Sequence, residues 1–321
     1  MGADDKWRSM VKNLTSLWRD SKETTGCILE LKEASTDDGP GLRTVVFFKG
    51  CPLNCKWCHS PESRSYLPEL ALYRNKCVLC GKCQHVCPQK VHRVGTDHAI
   101  NRDQCLVCGL CVNNCCHDAL EILGNETSAA DLMSIICRHR VFFENSGGGV
   151  TFSGGEATSQ YTFLLALLYA CKLEKIHTAL DTCGYVSWSR LSILIKYADL
   201  LLYDLKHMDE GHHKRLTGVS NKRILNNLCK LKAHNIDVIV RIPLIPKIND
   251  NLAHMHMVGQ FLSQKAGQQR VELLPYNELA AVKYDWLDID YAMDEKTTQT
   301  RETLDQIKSV LASYKLDVTV K

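Results

Sequence analysis

The chain has 321 residues and a formal net charge of +3, and 45% of its residues are hydrophobic. A chain of this length can bury one large core together with a smaller satellite module. The 39 Lys and Arg residues against 36 Asp and Glu, without a basic tract, give no electrostatic case for a nucleic-acid partner. The N-terminus lacks the apolar run of a secretory signal, and no stretch reaches the ~18 apolar residues of a membrane span, so we expect a cytoplasmic protein without a membrane partner.

The first predicted elements, in chain order, are a polar, partly helical extension over residues 1–25 and a strand at Thr44–Lys49 (TVVFFK). That strand leads directly into a group of cysteines. Residues 60–123 are poor in periodic apolar segments and rich in Cys, Pro, Gly, Asn and His, so they cannot build an ordinary core. We therefore predict an inserted module at 60–123 that is held together by metal.

Beyond residue 127, helical stretches alternate with short β-branched runs. The predicted helices are 128–145, 159–173, 187–197, 219–234, 251–265 and one near 294–314, and the predicted strands are 150–153, 176–182, 199–205, 236–242 and 270–275, before the β-rich tail LDVTV. Such alternation with right-handed crossovers predicts a parallel sheet, in a barrel or a doubly wound sheet. With the first strand there are six strand–helix units, fewer than the eight of a full barrel. We predict an α/β fold, a partial (β/α)6 barrel formed by residues 26–59 and 124–321.

The 17 cysteines indicate metal or redox chemistry, because a disulfide framework belongs to short secreted chains and this chain is neither short nor secreted. Two runs in the predicted insert repeat the bacterial ferredoxin spacing, Cys-x2-Cys-x2-Cys-x3-Cys. In that arrangement three thiolates bind one four-iron cluster and the fourth reaches the other. The expected ligand sets are Cys77, Cys80, Cys83 and Cys115 for the first cluster and Cys105, Cys108, Cys111 and Cys87 for the second.

The alternative for the insert is a pair of zinc sites. Zinc favours four ligands in Cys-x2-Cys pairs, which leaves the third cysteine of each run without a role. Cys116 stands where a second proline would follow the last cysteine of the run, and we interpret it as a spare thiol.

A third group, Cys51, Cys55 and Cys58, offers only three thiolates, on a loop that follows a strand. Three ligands on a four-iron cluster leave one iron open to a substrate or cofactor, as in catalytic metal sites. The alternative is an incidental or zinc-binding loop. We predict that these three cysteines form the catalytic centre.

The motif Cys-x3-Cys-x2-Cys, with the aromatic Trp57 before its last cysteine, resembles the signature of the radical S-adenosylmethionine (SAM) superfamily. The segment DGPGLRTVVFFKGCPLNCKWCHSPE at 38–62 is similar to the opening of glycyl radical enzyme activating enzymes. The likeness extends from about residue 34 to the C-terminus, and the insert resembles that of a subgroup with a two-cluster ferredoxin-like module.

This resemblance implies an enzyme that uses a 4Fe–4S cluster and SAM to make a 5′-deoxyadenosyl radical, which abstracts a hydrogen from a glycine of a partner glycyl radical enzyme. It also implies three 4Fe–4S clusters in all, a monovalent cation, a flavodoxin or ferredoxin-type electron donor and a monomer. Two alternatives are a radical SAM enzyme acting on a small molecule and a non-catalytic electron-transfer protein. The DGPG segment argues against the first, and the three-cysteine loop against the second.

The motif Thr151-Phe-Ser-Gly-Gly-Glu follows a predicted strand. Glycines at Gly154 and Gly155 would let the backbone approach a ligand closely, and Glu156 could accept hydrogen bonds from an ammonium group. The resemblance assigns this segment to the methionyl amino group of SAM. The family usually has proline where this chain has Ala157.

Polar residues also lie at the ends of later strands, where a βα barrel gathers its active site. The resemblance implies a monovalent-cation site at Asp181, Thr182 and Asp204, beside a SAM carboxylate paired with Lys206. It places Trp57 near the adenine. Two further cofactor contacts are expected. Arg241 lies inside a predicted strand, where a buried charge is unfavourable unless it has an anionic partner, and Asn277 stands where the family often has histidine.

Overall fold

The computed structural model of the chain describes residues 3–293 and 297–321. The strands, in chain order, are β1 (Thr25–Ser35), β2 (Arg43–Phe48), β3 (Glu69–Leu72), β4 (His92–Val94), β5 (His98–Ile100), β6 (Leu120–Leu123), β7 (Asn125–Ser128), β8 (Gly149–Gly154), β9 (Thr178–Thr182), β10 (Leu200–Asp204), β11 (Asp237–Pro243), β12 (Arg270–Leu274) and β13 (Asp317–Val320).

The α-helices are α1 (Ala3–Ser21), α2 (Lys82–Val86), α3 (Leu110–Asn113), α4 (Ala129–Arg138), α5 (Arg140–Ser146), α6 (Tyr161–Leu173), α7 (Trp188–Leu194), α8 (Glu210–Thr217), α9 (Lys222–Leu231), α10 (Leu252–Gln260), α11 (Ala281–Trp286) and α12 (Arg301–Ser313). A π-helical segment, Phe261–Ala266, continues α10, and single 3-10 turns lie at Pro61–Ser63, Arg74–Lys76, Arg102–Gln104 and Ala157–Gln160. No helix within the described ranges has both the length and the apolar character that a membrane crossing requires.

The main sheet has nine strands in the order β13-β12-β11-β10-β9-β8-β2-β1-β7. Strands β2 and β8 to β13 pair in parallel, and β1 and β7 add an antiparallel edge next to β2. All six predicted strands are present, and the tail LDVTV forms β13 as a seventh parallel strand. The predicted α/β fold of a partial, open barrel is therefore confirmed.

Helix α6 is apolar around most of its circumference, and eight of its 13 residues are buried. One face packs into the main core, and α1 packs on the other. Leu14 of α1 is buried, and Trp18 packs against the core. The N-terminal extension is thus a cover for α6, which explains why a helix without an amphipathic pattern is stable there.

Several helices differ from the expectation. The predicted helix 128–145 is two helices that meet at His139, whose backbone leaves helical geometry. Helices α8 and α11 and strands β1 and β7 were not expected. Helix α8 (EGHHKRLT) is too polar to show an apolar period. Residues 294–296 of the predicted last helix lie outside the described residues.

The predicted insert contains two small antiparallel ribbons, β3–β6 and β4–β5. Pairing of β3 with β6 brings the two ends of the predicted insert together. Helices α2 and α3 each follow a glycine with positive φ, Gly81 at 73° and Gly109 at 79°. The apolar core of this region is small, and cysteines make up part of it; its buried members are Leu70, Leu72, Cys83, Cys111 and Leu120.

Candidate active site

A cavity of about 370 Å³ opens where strands β8, β9 and β10 end and where the chain leaves β12. Active sites of βα barrels form at this edge, because the carboxyl ends of parallel strands lie together there. The structure brings most of the predicted site residues to its wall: Cys51, Cys55, Trp57, Cys58, Gly154, Gly155, Asp181, Thr182, Asp204, Lys206 and Asn277.

The loop that carries the three cysteines is held by the end of α8. The backbone N–H of Asn54 donates to the carbonyl of Thr217 over 2.7 Å. The N–H of Lys56 donates to the carbonyl of Leu216 over 3.0 Å. Carbonyls in the last turn of a helix have no partner within the helix, so α8 offers ready acceptors to the loop.

The three thiols of this loop are largely shielded from water. Burial raises the pKa of the Cys51 and Cys55 thiols to about 12, and burial also raises the pKa of Cys58. Thiols in such surroundings become thiolates when a metal binds, since the metal supplies the missing positive charge. Three thiols on one loop, next to an open cavity, fit a four-iron cluster that leaves one iron for a further ligand.

Gly154 allows the end of β8 to lie against Phe48 of β2, and Gly155 allows it to lie against the residues that flank the cysteine loop. Gly154 has φ of +104°. A Cβ on Gly155 would lie 2.5 Å from the carbonyl oxygen of Ser63 and 2.6 Å from that of Gly50. A larger residue would push the loop and the strand apart, so both glycines shape the cavity wall through close backbone contact.

Glu156 does not line the cavity, although its sequence motif predicts that it meets a cofactor there. Its Oε1 accepts hydrogen bonds from Thr158 Oγ1 at 2.7 Å and from Thr182 Oγ1 at 2.9 Å. Its Oε2 accepts from the N–H of Cys183 at 2.8 Å. The buried carboxylate therefore connects the end of β8 to the end of β9, and its acceptors are already used by the protein.

Arg241 also lies outside the wall of the cavity. Its Nε donates to Glu272 Oε2 at 3.0 Å, and an Nη donates to the carbonyl of Asp37 at 2.6 Å. Another Nη is 3.8 Å from Asp181 Oδ2. The anionic partners that this buried charge requires are thus protein carboxylates, and Arg241 reaches the cavity only through Asp181.

Two carboxylates form an acidic pair at the strand ends. Burial, together with the charge of Asp204, raises the pKa of Asp181 to about 7. Ser153 donates to Asp181 Oδ2 at 2.7 Å, and Lys206 Nζ lies 2.6 Å from Asp204 Oδ2. Carboxylate oxygens arranged in this way suit a cation.

The cavity wall also includes residues that were not among the predicted site residues, and Ser153, Cys183 and Tyr276 are three of them. Ser153 lies within the predicted Gly-Gly-Glu motif, and Cys183 follows the predicted Asp-Thr pair, so both had a local signal. The ring of Tyr276 packs edge-on against His59, with 6.4 Å between centroids. Tyr276 reaches the cavity because of the path that the chain takes after β12, and no local sequence pattern predicts that path.

Two smaller cavities lie in the predicted insert. The first is lined by Cys77, Cys80, Cys83 and Cys115, and the second by Cys87, Cys105, Cys108 and Cys111. These are the two crossed sets that the ferredoxin spacing predicts, so the structure brings together the members of each set. Cys116 is exposed and lines neither cavity.

Comparison with known proteins relates these features to a family. Residues 107–257 match the radical SAM superfamily model. The trans-4-hydroxy-L-proline dehydratase activating enzyme of Clostridioides difficile is 40% identical over 91% of this chain and 98% of that protein. The isethionate sulfite-lyase activating enzyme of Nitratidesulfovibrio vulgaris is 38% identical over 91% of this chain and 96% of its own length.

A third relative, the choline trimethylamine-lyase activating enzyme of Oleidesulfovibrio alaskensis, is 35% identical over 93% of this chain and 98% of that protein. The crystal structure of Streptococcus suis SuiB bound to the precursor peptide SuiA has a TM-score of 0.54 at 16% identity, covering 86% of this chain and 48% of that one. The structural likeness concerns the fold alone. The sequence likeness covers nearly the whole of both chains, and on that ground the chain belongs to the glycyl radical enzyme activating enzymes, which are radical SAM enzymes with a 4Fe–4S cluster and SAM as cofactors.

Proposed function

We propose that Cys51, Cys55 and Cys58 hold the catalytic 4Fe–4S cluster and that the 370 Å³ cavity beside them receives SAM. The observation that carries this proposal is that one cavity is walled both by the three-cysteine loop and by the polar strand ends. When bound, the cluster and SAM supply the radical chemistry: one electron cleaves the S–C5′ bond to methionine and a 5′-deoxyadenosyl radical, which takes a hydrogen atom from a glycine of the partner enzyme.

The protein's own residues bind and orient the cofactor. Asp181, Thr182 and Asp204 form the monovalent-cation site, supported by the close approach of the two carboxylates to the cavity. Lys206, which pairs with Asp204 here, is close enough to the cavity to pair with a SAM carboxylate. Trp57 is 3% exposed and provides an apolar wall for the adenine.

The remaining predicted cofactor residues are Asn277, Glu156 and Arg241, and we propose a different role for Asn277 than for the other two. Asn277 lines the cavity and can donate a hydrogen bond from its amide. Glu156 and Arg241 are positioning residues, because their polar atoms are bound to other protein groups. Glu156 fixes the β8 and β9 ends, and Arg241 orients Asp181.

We propose that the insert at 60–123 holds two further 4Fe–4S clusters on its crossed cysteine sets, with a partial barrel at 26–59 and 124–321 and an N-terminal extension at 1–25. The two separate cysteine-lined cavities support this arrangement. Eight thiolates fill two clusters and leave no open iron, so these clusters carry electrons and do not bind substrate.

The proposed partners are a glycyl radical enzyme as protein substrate and a flavodoxin or ferredoxin-type electron donor. Val78 and Leu106, each next to a cluster cysteine, are 55% and 67% exposed, and they give a donor an apolar contact near the insert clusters. All 17 cysteines are free, as expected in a reducing compartment, and we propose a monomeric cytoplasmic enzyme.

Replacing Cys55 by alanine tests the assignment of the catalytic loop. The variant should lose reductive cleavage of SAM and should keep about eight of about twelve irons, because two clusters remain. The measurements are 5′-deoxyadenosine production with a chemical reductant and iron content after anaerobic reconstitution. Cys116→Ala, which removes an exposed thiol, is the matched control and should cleave SAM normally. Retained cleavage in Cys55→Ala would place the catalytic cluster elsewhere.

A further inference from the structure

Two buried histidines lie between the cysteine-lined cavities of the insert. His92 of β4 and His98 of β5 are each 3% exposed and stand on one antiparallel ribbon. His92 Nδ1 is 2.9 Å from His98 Nε2, so the two rings share a hydrogen bond. Arg74 donates to the carbonyl of His98 at 2.7 Å and holds that strand in place.

Each ring also faces one of the two cysteine sets. His98 Nδ1 is 3.5 Å from Cys77 Sγ, and its Nε2 is 3.7 Å from Cys83 Sγ, both in the first set. His92 lines the second cavity. Its Nε2 is fully buried and has no hydrogen-bond partner among the residues that the structure describes. Buried polar atoms are rarely unpaired in native proteins, so we expect a group bound in the second cavity to form a hydrogen bond with this nitrogen.

We propose that His92 and His98 form a hydrogen-bonded bridge between the two insert clusters and help to set their reduction potentials. This inference rests on the proposed pair of clusters in the insert. Hydrogen bonds to thiolate or sulfide sulfur stabilise the more negative, reduced cluster and so raise its reduction potential. The bridge links the two sites through one short contact between the imidazoles.

The number of N–H groups on the two rings couples the two cluster sites to each other. A neutral imidazole carries one N–H, and the contact between the rings uses one of the two that the pair possesses. The other N–H faces either Cys77 or the second cavity. In one pair of tautomers the free N–H is on His98 and faces Cys77, and in the other pair it is on His92 and faces the second cavity, so a change at one ring affects the hydrogen bonds available to both clusters.

Redox titration monitored by electron paramagnetic resonance tests the bridge. His98→Phe removes the donor with little change in size, and it should shift the potential of an insert cluster to a more negative value. His98→Gln keeps an N–H donor and should restore part of the shift. His85→Phe is the control, since His85 is exposed and its Nδ1 lies 2.9 Å from the carbonyl oxygen of Gly81, away from the histidine pair.

A second measurement does not depend on assembly of the phenylalanine variant. Unsubstituted protein labelled with ¹⁵N-histidine should show ¹⁵N coupling to a reduced insert cluster in pulsed electron paramagnetic resonance spectra, and His98→Gln should lose the part of it that comes from His98. If the unsubstituted protein binds only about four irons, the two-cluster proposal itself fails. If it binds about twelve, yet the potentials of all variants agree and no such coupling is seen, the bridge is overturned and the cluster assignment stands.

Discussion

The carboxylate of Glu156 ties two strand ends together beside the cavity. It is 1% exposed and accepts from backbone N–H groups on both sides, Thr158 at 3.2 Å and Cys183 at 2.8 Å. Charge-assisted hydrogen bonds of this kind are stronger than those between neutral groups. A residue type that suggests ligand binding in the sequence is thus used to shape the site.

Glu156→Gln should weaken both the fold and the site. Whichever way the amide is turned, its NH2 group faces a backbone N–H, of Thr158 or of Cys183. Loss of one buried acceptor should lower the free energy of unfolding by about 1–3 kcal/mol. Denaturant titration measures this, with the exposed Glu144→Gln as control. Unchanged stability together with lost SAM binding would mean that the carboxylate contacts the cofactor directly.

The raised pKa of Asp181 predicts a pH-dependent cation effect. Because the pKa is raised to about 7, chiefly by burial and then by Asp204, protons compete with a cation at this carboxylate. Cation affinity should therefore rise as pH increases through 7, and it should be about tenfold weaker at pH 6 than at pH 8, where the group is ionised.

Titration calorimetry of SAM binding with and without KCl, at pH 6 and pH 8, measures this effect. Asp181→Asn should bind SAM with little dependence on KCl at either pH. An equal KCl effect at both pH values in the unsubstituted protein would exclude Asp181 as a cation ligand.

Helix α11 and the residues after it join the proposed insert to the loop with Cys51, Cys55 and Cys58. Asp288 accepts from Arg74 and, at 2.8 Å, from Arg102, and both arginines belong to the insert. On the other side, Tyr284 Oη donates to the carbonyl of Cys58 at 3.0 Å. A single short element therefore contacts both the insert and the loop that we propose to hold the catalytic cluster.

Asp288→Asn should loosen this junction while leaving the catalytic loop intact. Both ion pairs are partly exposed, so the loss should stay within about 1 kcal/mol per pair. SAM cleavage driven by reduced flavodoxin should slow relative to cleavage driven by dithionite, which reaches all clusters directly. Faster hydrogen exchange at Arg74–Lys76 should accompany the change. Asp285→Asn, at an exposed position of α11, is the control, and equal slowing in both variants would contradict the junction.

The two parts of the molecule differ in how they are stabilised. The barrel buries a large, continuous apolar core that includes Leu201 and Tyr203 of β10, and the other two leucines of that strand are buried in a second, smaller cluster. The insert has few buried apolar side chains, and cysteines are among them. We expect the barrel to fold through apolar burial and the insert to depend on its clusters.

The double variant Cys80→Ala, Cys108→Ala tests this division. It removes one proposed ligand from each insert cluster and should keep SAM cleavage with a strong chemical reductant, because the catalytic loop is untouched. It should lose most glycyl radical formation on the partner, measured by electron paramagnetic resonance. Loss of the SAM-dependent change in the cluster signal, with the 51–58 cluster still bound, would instead place the SAM site in the insert.

Local patterns in the sequence determined the parallel strands, the cysteine-rich segment at 60–123 and the grouping of the cysteines. Short β-branched runs and ligand spacings of two or three residues depend only on neighbours in the chain, so they can be read without the fold. The structure then brings both crossed sets of insert cysteines together, as the spacing predicts.

The tertiary structure alone decided which polar groups face the cavity. The carboxylate of Glu156 is bound by the N–H of Cys183, 27 residues away, and Arg241 by the carbonyl of Asp37, 204 residues away. The support of the cysteine loop by α8 and the cover of α6 by α1 are likewise contacts between distant segments. A charged residue at a predicted buried position indicates only that the charge needs a partner, and the fold determines whether that partner is a ligand or another group of the protein.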